Sequence, residues 1–319
     1  MSSYSIAIHG GAGTISRRRL TPDRQAAYTQ ALTQAILQGE AILKQGGTAL
    51  DAVTAAVVSL EDCPLFNAGR GSVFTADGKN EMDASIMTGH DLNAGAVAFV
   101  KNVRNPIRLA RAVMEQSEHV FLCGDGAEKF AQYCGLSFET DAYFFTQERY
   151  DQLLKAQREQ RILLDHSEES ADSVDKKHGT VGAVARDQYG NLAAATSTGG
   201  MTNKQFGRIG DSSIIGCGTY ANNLSCAVSC TGYGEFFIRG VVAYDIACLM
   251  YYKNLSLDEA CRIAIQEKQT QMGSDGGVVA VDAAGNVCLC YNSAGMYRAA
   301  IGQNRPLFVG IFEDNIALL

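Results

Sequence analysis

A threonine directly behind a glycine, at the head of a β run, is where this sequence offers a nucleophile. Gly179-Thr180 leads into the apolar run Val181-Gly182-Ala183-Val184-Ala185. A turn at Asp187-Gln188-Tyr189-Gly190-Asn191 then opens a second run, Leu192 to Thr196. The two runs predict a β-hairpin. A threonine hydroxyl is a weak nucleophile until a base stands beside it. Cleavage before Thr180 would free that residue's own α-amine, with a pKa of about 7.7–8.0, and such an amine is a recognised activator of threonine. Gly179, lacking a side chain, would let Thr180 Oγ reach its carbonyl and begin the cut. Taken alone, the stretch is better read as a plain hairpin that begins with a β-favouring residue.

Three further groups could serve the same chemistry. Thr198 ends the second run in a hydroxyl-rich segment, Thr196 to Gly200. Gly207-Arg208-Ile209-Gly210-Asp211 sets a cation and an anion in a glycine-framed loop. Such a pair is either a surface ion pair of little value or a clamp for a free amino-acid head group. In a clamp, Arg208 would take an α-carboxylate bidentately and Asp211 the α-ammonium. Thr231 and Gly232 are expected at a strand-to-helix turn, where a hydroxyl and a backbone N–H can face an oxyanion, each such donor being worth about 10²–10³ in rate. The alternative for Thr231 is a helix N-cap.

The elements that must position these groups are legible in outline. Ser5–Ile8 predicts a strand, followed by the glycine-rich His9-Gly10-Gly11-Ala12-Gly13, either a weak phosphate loop or backbone packed closely against something. His9 is open to a structural or a working role. Helices are predicted from Thr21-Pro22 to Leu43 and over Ala49–Leu60, 106–116, 124–133, 235–252 and 257–266. Short β runs are expected over Ser72–Thr75, Glu81–Met87 and Gly95–Val100 as an antiparallel meander, with Asp83 structural and facing a loop amide. Others are expected at 119–123, 223–229, 276–282 and 286–292. Between residues 154 and 178 the chain turns polar and poorly patterned, a mobile linker or a solvated helix with a loop. The order suits stacked antiparallel sheets between helical layers.

His178 to Ala185, with Gly190-Asn191-Leu192-Ala193-Ala194-Ala195-Thr196-Ser197-Thr198-Gly199-Gly200, resembles the processing site of the plant-type asparaginases. These are also called isoaspartyl peptidases and belong to the N-terminal-nucleophile hydrolases. The glycine-rich segment at His9 matches the family's start, and the likeness covers nearly the whole chain. It implies an α+β fold, a four-layer αββα sandwich with two stacked antiparallel sheets. It also implies a precursor that cuts itself between Gly179 and Thr180. Residues 1–179, ending in the linker over 154–179, and residues 180–319 would stay one folded unit. Thr180 would then be nucleophile and, through its amine, base. Thr198 would tune it, and Thr231 and Gly232 would bind the oxyanion. The substrate would lie against Arg208, Ile209, Gly210 and Asp211 and against Thr231, Gly232, Tyr233 and Gly234.

By the same resemblance, the substrates are β-aspartyl dipeptides and L-asparagine, releasing L-aspartate. Glycosylasparaginase and an aspartate-directed threonine protease are alternatives within the family. A nucleotide-binding or non-catalytic protein built on the glycine-rich loop is the alternative from another class. No cofactor is required, but a structural sodium ion is implied on the main-chain carbonyls of Leu60, Glu61, Cys63, Phe66, Ala68 and Arg70. The residues themselves show only a shaped loop there. Two processed protomers are expected to pair as a homodimer, a heterotetramer of cleaved pieces.

Composition narrows the classes. The chain has 319 residues, 46% hydrophobic and 19% charged, with a formal net charge of −7. That is an ordinary globular mix, and neither nucleic acid nor an anionic membrane is an expected partner. No secretory leader is visible, and the longest apolar stretch, 240–252, contains Asp245 and is too short to span a bilayer. Most of the ten cysteines lie in apolar runs, which suits buried thiols in a cytoplasmic protein.

Overall fold

Alternation decides the centre of the molecule. In the strands Val181–Arg186 and Leu192–Thr198, Val181, Ala183, Ala185, Ala193 and Ala195 enter one apolar cluster. Val184, Leu192 and Ala194 enter another on the opposite face. Successive side chains of a strand point to opposite faces, so a hairpin apolar on both faces must be covered on both. Its turn is held by Asp187, whose Oδ1 accepts from the N–H groups of Tyr189 and Asn191.

The computed structural model describes residues 3–13, 15, 20–165, 179–313 and 317–318. Its first half runs β1 (Ser5–Gly13), α1 (Pro22–Lys44), α2 (Ala49–Glu61), β2 (Met82–Thr88), β3 (Ala94–Val100), α3 (Pro106–Gln116), β4 (Phe121–Cys123), α4 (Gly124–Tyr133), α5 (Asp141–Phe144) and α6 (Gln147–Asp165). The second half runs β5 (Val181–Arg186), β6 (Leu192–Thr198), β7 (Thr219–Ala221), β8 (Cys226–Gly232), α7 (Gly234–Gly240), α8 (Val242–Lys253), α9 (Leu257–Arg262), β9 (Gly276–Asp282), β10 (Val287–Tyr291), β11 (Gly295–Gly302), β12 (Arg305–Gly310) and β13 (Ala317–Leu318).

The fold is α+β with two sheets. One has nine strands in the order β13-β12-β11-β1-β5-β6-β2-β3-β4, and the other four in the order β10-β9-β8-β7. Three apolar seams tie the elements together. The first joins α1, α2 and α3 to one face of the large sheet. The second lies between the sheets, with Ala7, Val184, Ala194, Ala227, Val279 and Val281. The third joins the small sheet to α8 and α9, with Val228, Ile246, Leu257 and Val278. Thr21 and Thr48 start α1 and α2 by accepting the N–H groups of Arg24 and Asp51, satisfying otherwise orphan donors.

The structure departs from the sequence expectations in definite places. Ser72–Thr75 is not a strand, because its backbone is bonded elsewhere. Val73 N–H donates to Asn67 Oδ1, Thr75 N–H to the Lys79 carbonyl, and the Phe74 carbonyl accepts from Asn203. The segment His9–Gly13 is no loop but the second half of β1, with an irregularity between His9 and Gly11. Close packing is the reason for the glycines: a Cβ on Gly10 would stand 2.3 Å from the Phe66 ring. Without a loop and a following helix there, the nucleotide-binding expectation fails.

Not every strand pair is antiparallel, since β4 joins β3 in parallel. The expected strand at 223–229 lies at Cys226–Gly232 instead, and the expected helix over 235–252 is broken at Val241, whose φ is 46°. The helix expected over 257–266 passes from α9 into a π-helical turn at Ile263–Gln269. Residues 154–165 of the expected linker are helical, part of α6. The rest of it, 166–178, lies outside the described residues.

Candidate active site

Strand register brings the two central threonines together. β5 and β6 pair with Val181 opposite Ser197, so Thr180 and Thr198 face each other at the end of the ladder. Thr180 Oγ donates to Thr198 Oγ at 3.2 Å, and Thr198 Oγ lies 3.1 Å from the Gly179 carbonyl, to which it donates. Asn67 Nδ2 donates to the same carbonyl at 2.7 Å and to the Gly200 carbonyl at 2.7 Å. The bond before Thr180 thus has a carbonyl polarised by two donors and a hydroxyl beside it. Thr180 is 6% exposed. A Cβ on Gly179 would come 2.9 Å from Asn67 Cβ, so glycine permits this approach.

His9 fixes the other end of Thr180. Its Nδ1 lies 2.9 Å from the Thr180 carbonyl and its Nε2 2.9 Å from Ser229 Oγ. A carbonyl can only accept, so Nδ1 carries the proton and Nε2 accepts from the serine. Burial pushes the His9 pKa down to about 3, and the ring is neutral. Beyond Ser229 the hydroxyls continue between the sheets. Ser229 Oγ is 2.7 Å from Thr196 Oγ, which is 2.5 Å from Thr219 Oγ, itself 2.8 Å from Ser85 Oγ. A Cβ on Gly182 would stand 1.9 Å from Ser229 Oγ and 2.6 Å from His9 Nε2. Only glycine allows that contact.

A recess opens over the junction, lined by Gly179, Thr180, Thr198, Gly200, Met201, Arg208, Gly210, Asp211, Ser212, Gly232 and Gly234. The expected residues Thr180, Thr198, Arg208, Gly210, Asp211, Gly232 and Gly234 therefore converge. Ile209, Thr231 and Tyr233 are not among the lining residues. Thr231 lies within β8 rather than at a helix cap, and its Oγ accepts from the Ala12 N–H at 3.2 Å. That contact leaves its own O–H able to donate. Asp211 is 3% exposed and its Oδ2 has no hydrogen-bond partner among the described residues. Burial pushes its carboxyl up to about 7, against the pull of Arg208. Arg208 is no bare surface cation: Nε and Nη2 donate to the two carboxylate oxygens of Glu235, each at 2.8 Å.

The amide that Asp83 meets belongs to a strand and not to the expected loop: its Oδ1 accepts from the Phe99 N–H of β3 at 3.0 Å. Glu61 is fully buried, with Oε1 accepting from Ser197 Oγ at 2.7 Å and from the Ile107 N–H at 3.0 Å. Burial raises its carboxyl to about 8.

Glycines let the loop after α2 pack closely against its own carbonyls. A Cβ on Gly69 would lie 2.5 Å from the Glu61 carbonyl oxygen, and one on Gly71 2.0 Å from that of Phe66. Carbonyl oxygens are hard donors, and of the six expected here, those of Leu60, Cys63 and Ala68 also accept from the N–H groups of Cys63, Phe66 and Gly71. The Arg70 side chain takes no part, lying over the Tyr143 ring at 5.3 Å. The buried Arg149 of α6 fastens the loop from outside, donating to the Gly71 and Leu65 carbonyls. Among the described residues no cluster of His, Cys, Asp and Glu side chains could hold a metal.

A family profile described as asparaginase matches residues 2–310. The chain belongs to the asparaginase family. Among its relatives, a protein named isoaspartyl peptidase from Salmonella typhimurium is 54% identical over 299 residues, covering 94% of this chain and 95% of that one. One of the same name from Escherichia coli K12 is also 54% identical, covering 94% and 93%. An isoaspartyl peptidase/L-asparaginase from Rattus norvegicus is 42% identical, covering 97% and 89%.

Within this family member, sequence reasoning passed over Asn67. It sits between Phe66 and Ala68, two residues weighed only for their carbonyls, and no local pattern distinguishes an amide that bonds residues more than a hundred positions away. Glu235 was passed over for a similar reason, since it reads as an ordinary acidic residue of a helix first turn.

Proposed function

We propose that this protein is a self-activating amidohydrolase that releases L-aspartate from β-aspartyl dipeptides and L-asparagine through an N-terminal Thr180. The relatives' names support the substrate class. The geometry at Gly179 carries the mechanism: its carbonyl is held by Asn67 Nδ2 and Thr198 Oγ while Thr180 Oγ hydrogen-bonds Thr198.

In activation, Thr180 Oγ attacks the Gly179 carbonyl carbon. Its proton passes by way of Thr198 to the departing Thr180 nitrogen, and Asn67 and Thr198 stabilise the oxyanion. The C–N bond breaks, leaving an ester on Oγ and a free amine on Thr180, and water then hydrolyses the ester. In turnover the freed amine is the base. Arg208 takes the substrate α-carboxylate, Asp211 the α-ammonium, and Ile209 and Gly210 shape the loop between them. Thr180 Oγ attacks the β-carbonyl, whose oxyanion meets the Thr231 hydroxyl and the Gly232 N–H. The acyl-enzyme is hydrolysed to L-aspartate after ammonia or the peptide amine leaves. Tyr233 borders the leaving-group side.

The carbonyls of Leu60, Glu61, Cys63, Phe66, Ala68 and Arg70 would hold a sodium ion, whose charge would hold the loop that carries Asn67. The three seams support the four-layer αββα sandwich of N-terminal-nucleophile hydrolases. A homodimer of processed protomers is the proposed assembly. The ten free thiols suit the reducing cytoplasm, and no helix among the described residues is long and apolar enough to cross a membrane.

Thr180→Ala tests the assignment. Both self-cleavage on a denaturing gel and release of aspartate from a β-aspartyl dipeptide should be lost. Survival of either would overturn the role given to Thr180.

A further inference from the structure

Arg208 enters the recess with half of its guanidinium already engaged. The Nε–Nη2 edge is bound side-on by Glu235, which stands in the first turn of α7. A guanidinium presents its N–H groups as a rigid planar fork, so the Nη1–Nη2 edge remains for a second carboxylate. The glycines of the recess lie around that edge. A Cβ on Gly210 would stand 3.0 Å from Nη1, one on Gly234 2.8 Å from Nη2, and one on Gly200 3.5 Å from Nη1. The side chains are absent where the outer edge of the fork needs room.

We propose that Glu235 is a positioning residue for substrate capture. It holds Arg208 by one edge so that the other receives the substrate's α-carboxylate end-on. This rests on the reading of Arg208 as the α-carboxylate clamp. Glu235 does not touch the substrate and acts only through the guanidinium. The opposite role, a carboxylate that competes with substrate for the same arginine, would require both to use one edge, and the fork offers two.

The experiment uses self-cleaved protein carrying Glu235→Gln or Glu235→Ala. Kinetics are run on a β-aspartyl dipeptide and on its analogue with an α-carboxamide on the aspartyl residue. The dipeptide KM should rise about tenfold, with kcat within about threefold of the unsubstituted enzyme. The rise should vanish with the carboxamide analogue and should add little in an Arg208→Lys background. Glutamine is nearly isosteric, so the pair of variants separates lost charge from lost folding. An unchanged or lowered KM would overturn the proposal, as would an equal rise for the carboxamide analogue. If unsubstituted protein turns over neither compound, the amidohydrolase reading itself falls, and the role of Glu235 with it. If it is active and the Glu235 variants match it, only the latter falls.

Discussion

Asp211 is the residue through which pH should act on substrate capture. Burial holds its carboxyl near 7, so it is largely protonated below that pH and cannot pair with an α-ammonium. KM should therefore fall as pH rises through about 7 and level off above it. Steady-state kinetics over roughly pH 5–9 test this, and Asp211→Asn should give a high KM without that dependence. On the proposed mechanism Asn67 serves activation. Asn67→Ala removes one of two donors to the Gly179 carbonyl and should slow self-cleavage by about 10²–10³, read as the decay of intact chain on a time-resolved gel. Cleavage at the unsubstituted rate would mean that the contact goes unused. Thr180, Arg208 and Asp211 could be singled out because their neighbours in sequence are telling, a glycine before the threonine and a glycine-framed loop for the charged pair. Local residues nonetheless left a plain hairpin and a surface ion pair open, and only the family resemblance chose between them. Asn67 and Glu235 act across distant parts of the chain, and spacing along a sequence carries no trace of that.

At the scale of elements, Glu61 ties three pieces together: the end of α2, the start of α3 through the Ile107 N–H, and β6 through Ser197. Its folded-state pKa is raised above the unfolded value. Its contribution is therefore complete below about 4.3 and is lost as pH rises through about 8. Stability should fall across that window, by at most about 1.4 kcal/mol per pH unit for one proton. Glu61→Gln should flatten the slope in denaturant unfolding at stepped pH. An unchanged slope would locate the dependence elsewhere. Gly182→Ala would drive a methyl into Ser229 and His9 and should cost about 1–3 kcal/mol, seen as a lowered midpoint. Elements marked by a helix start signal or by an unbroken apolar run between turn signals were readable, as α1, α2 and the β5–β6 hairpin illustrate. The break at Val241 and the displaced β8 were not, since the packing that sets them comes from other layers. Residues 72–75 look like a strand until Asn67, Lys79 and Asn203 take up their backbone groups.

For the molecule as a whole, the large sheet joins strands from both sides of the Gly179–Thr180 bond. β1 and β2 flank β5 and β6, so cleavage need not release either piece. On the proposed mechanism scission must precede catalysis, because the amine of Thr180 would exist only after the cut. Mass spectrometry of purified protein that is turning over a β-aspartyl dipeptide tests this most directly. Two polypeptides, the second beginning at Thr180, are the expected result. A single uncut chain that releases aspartate would contradict the account.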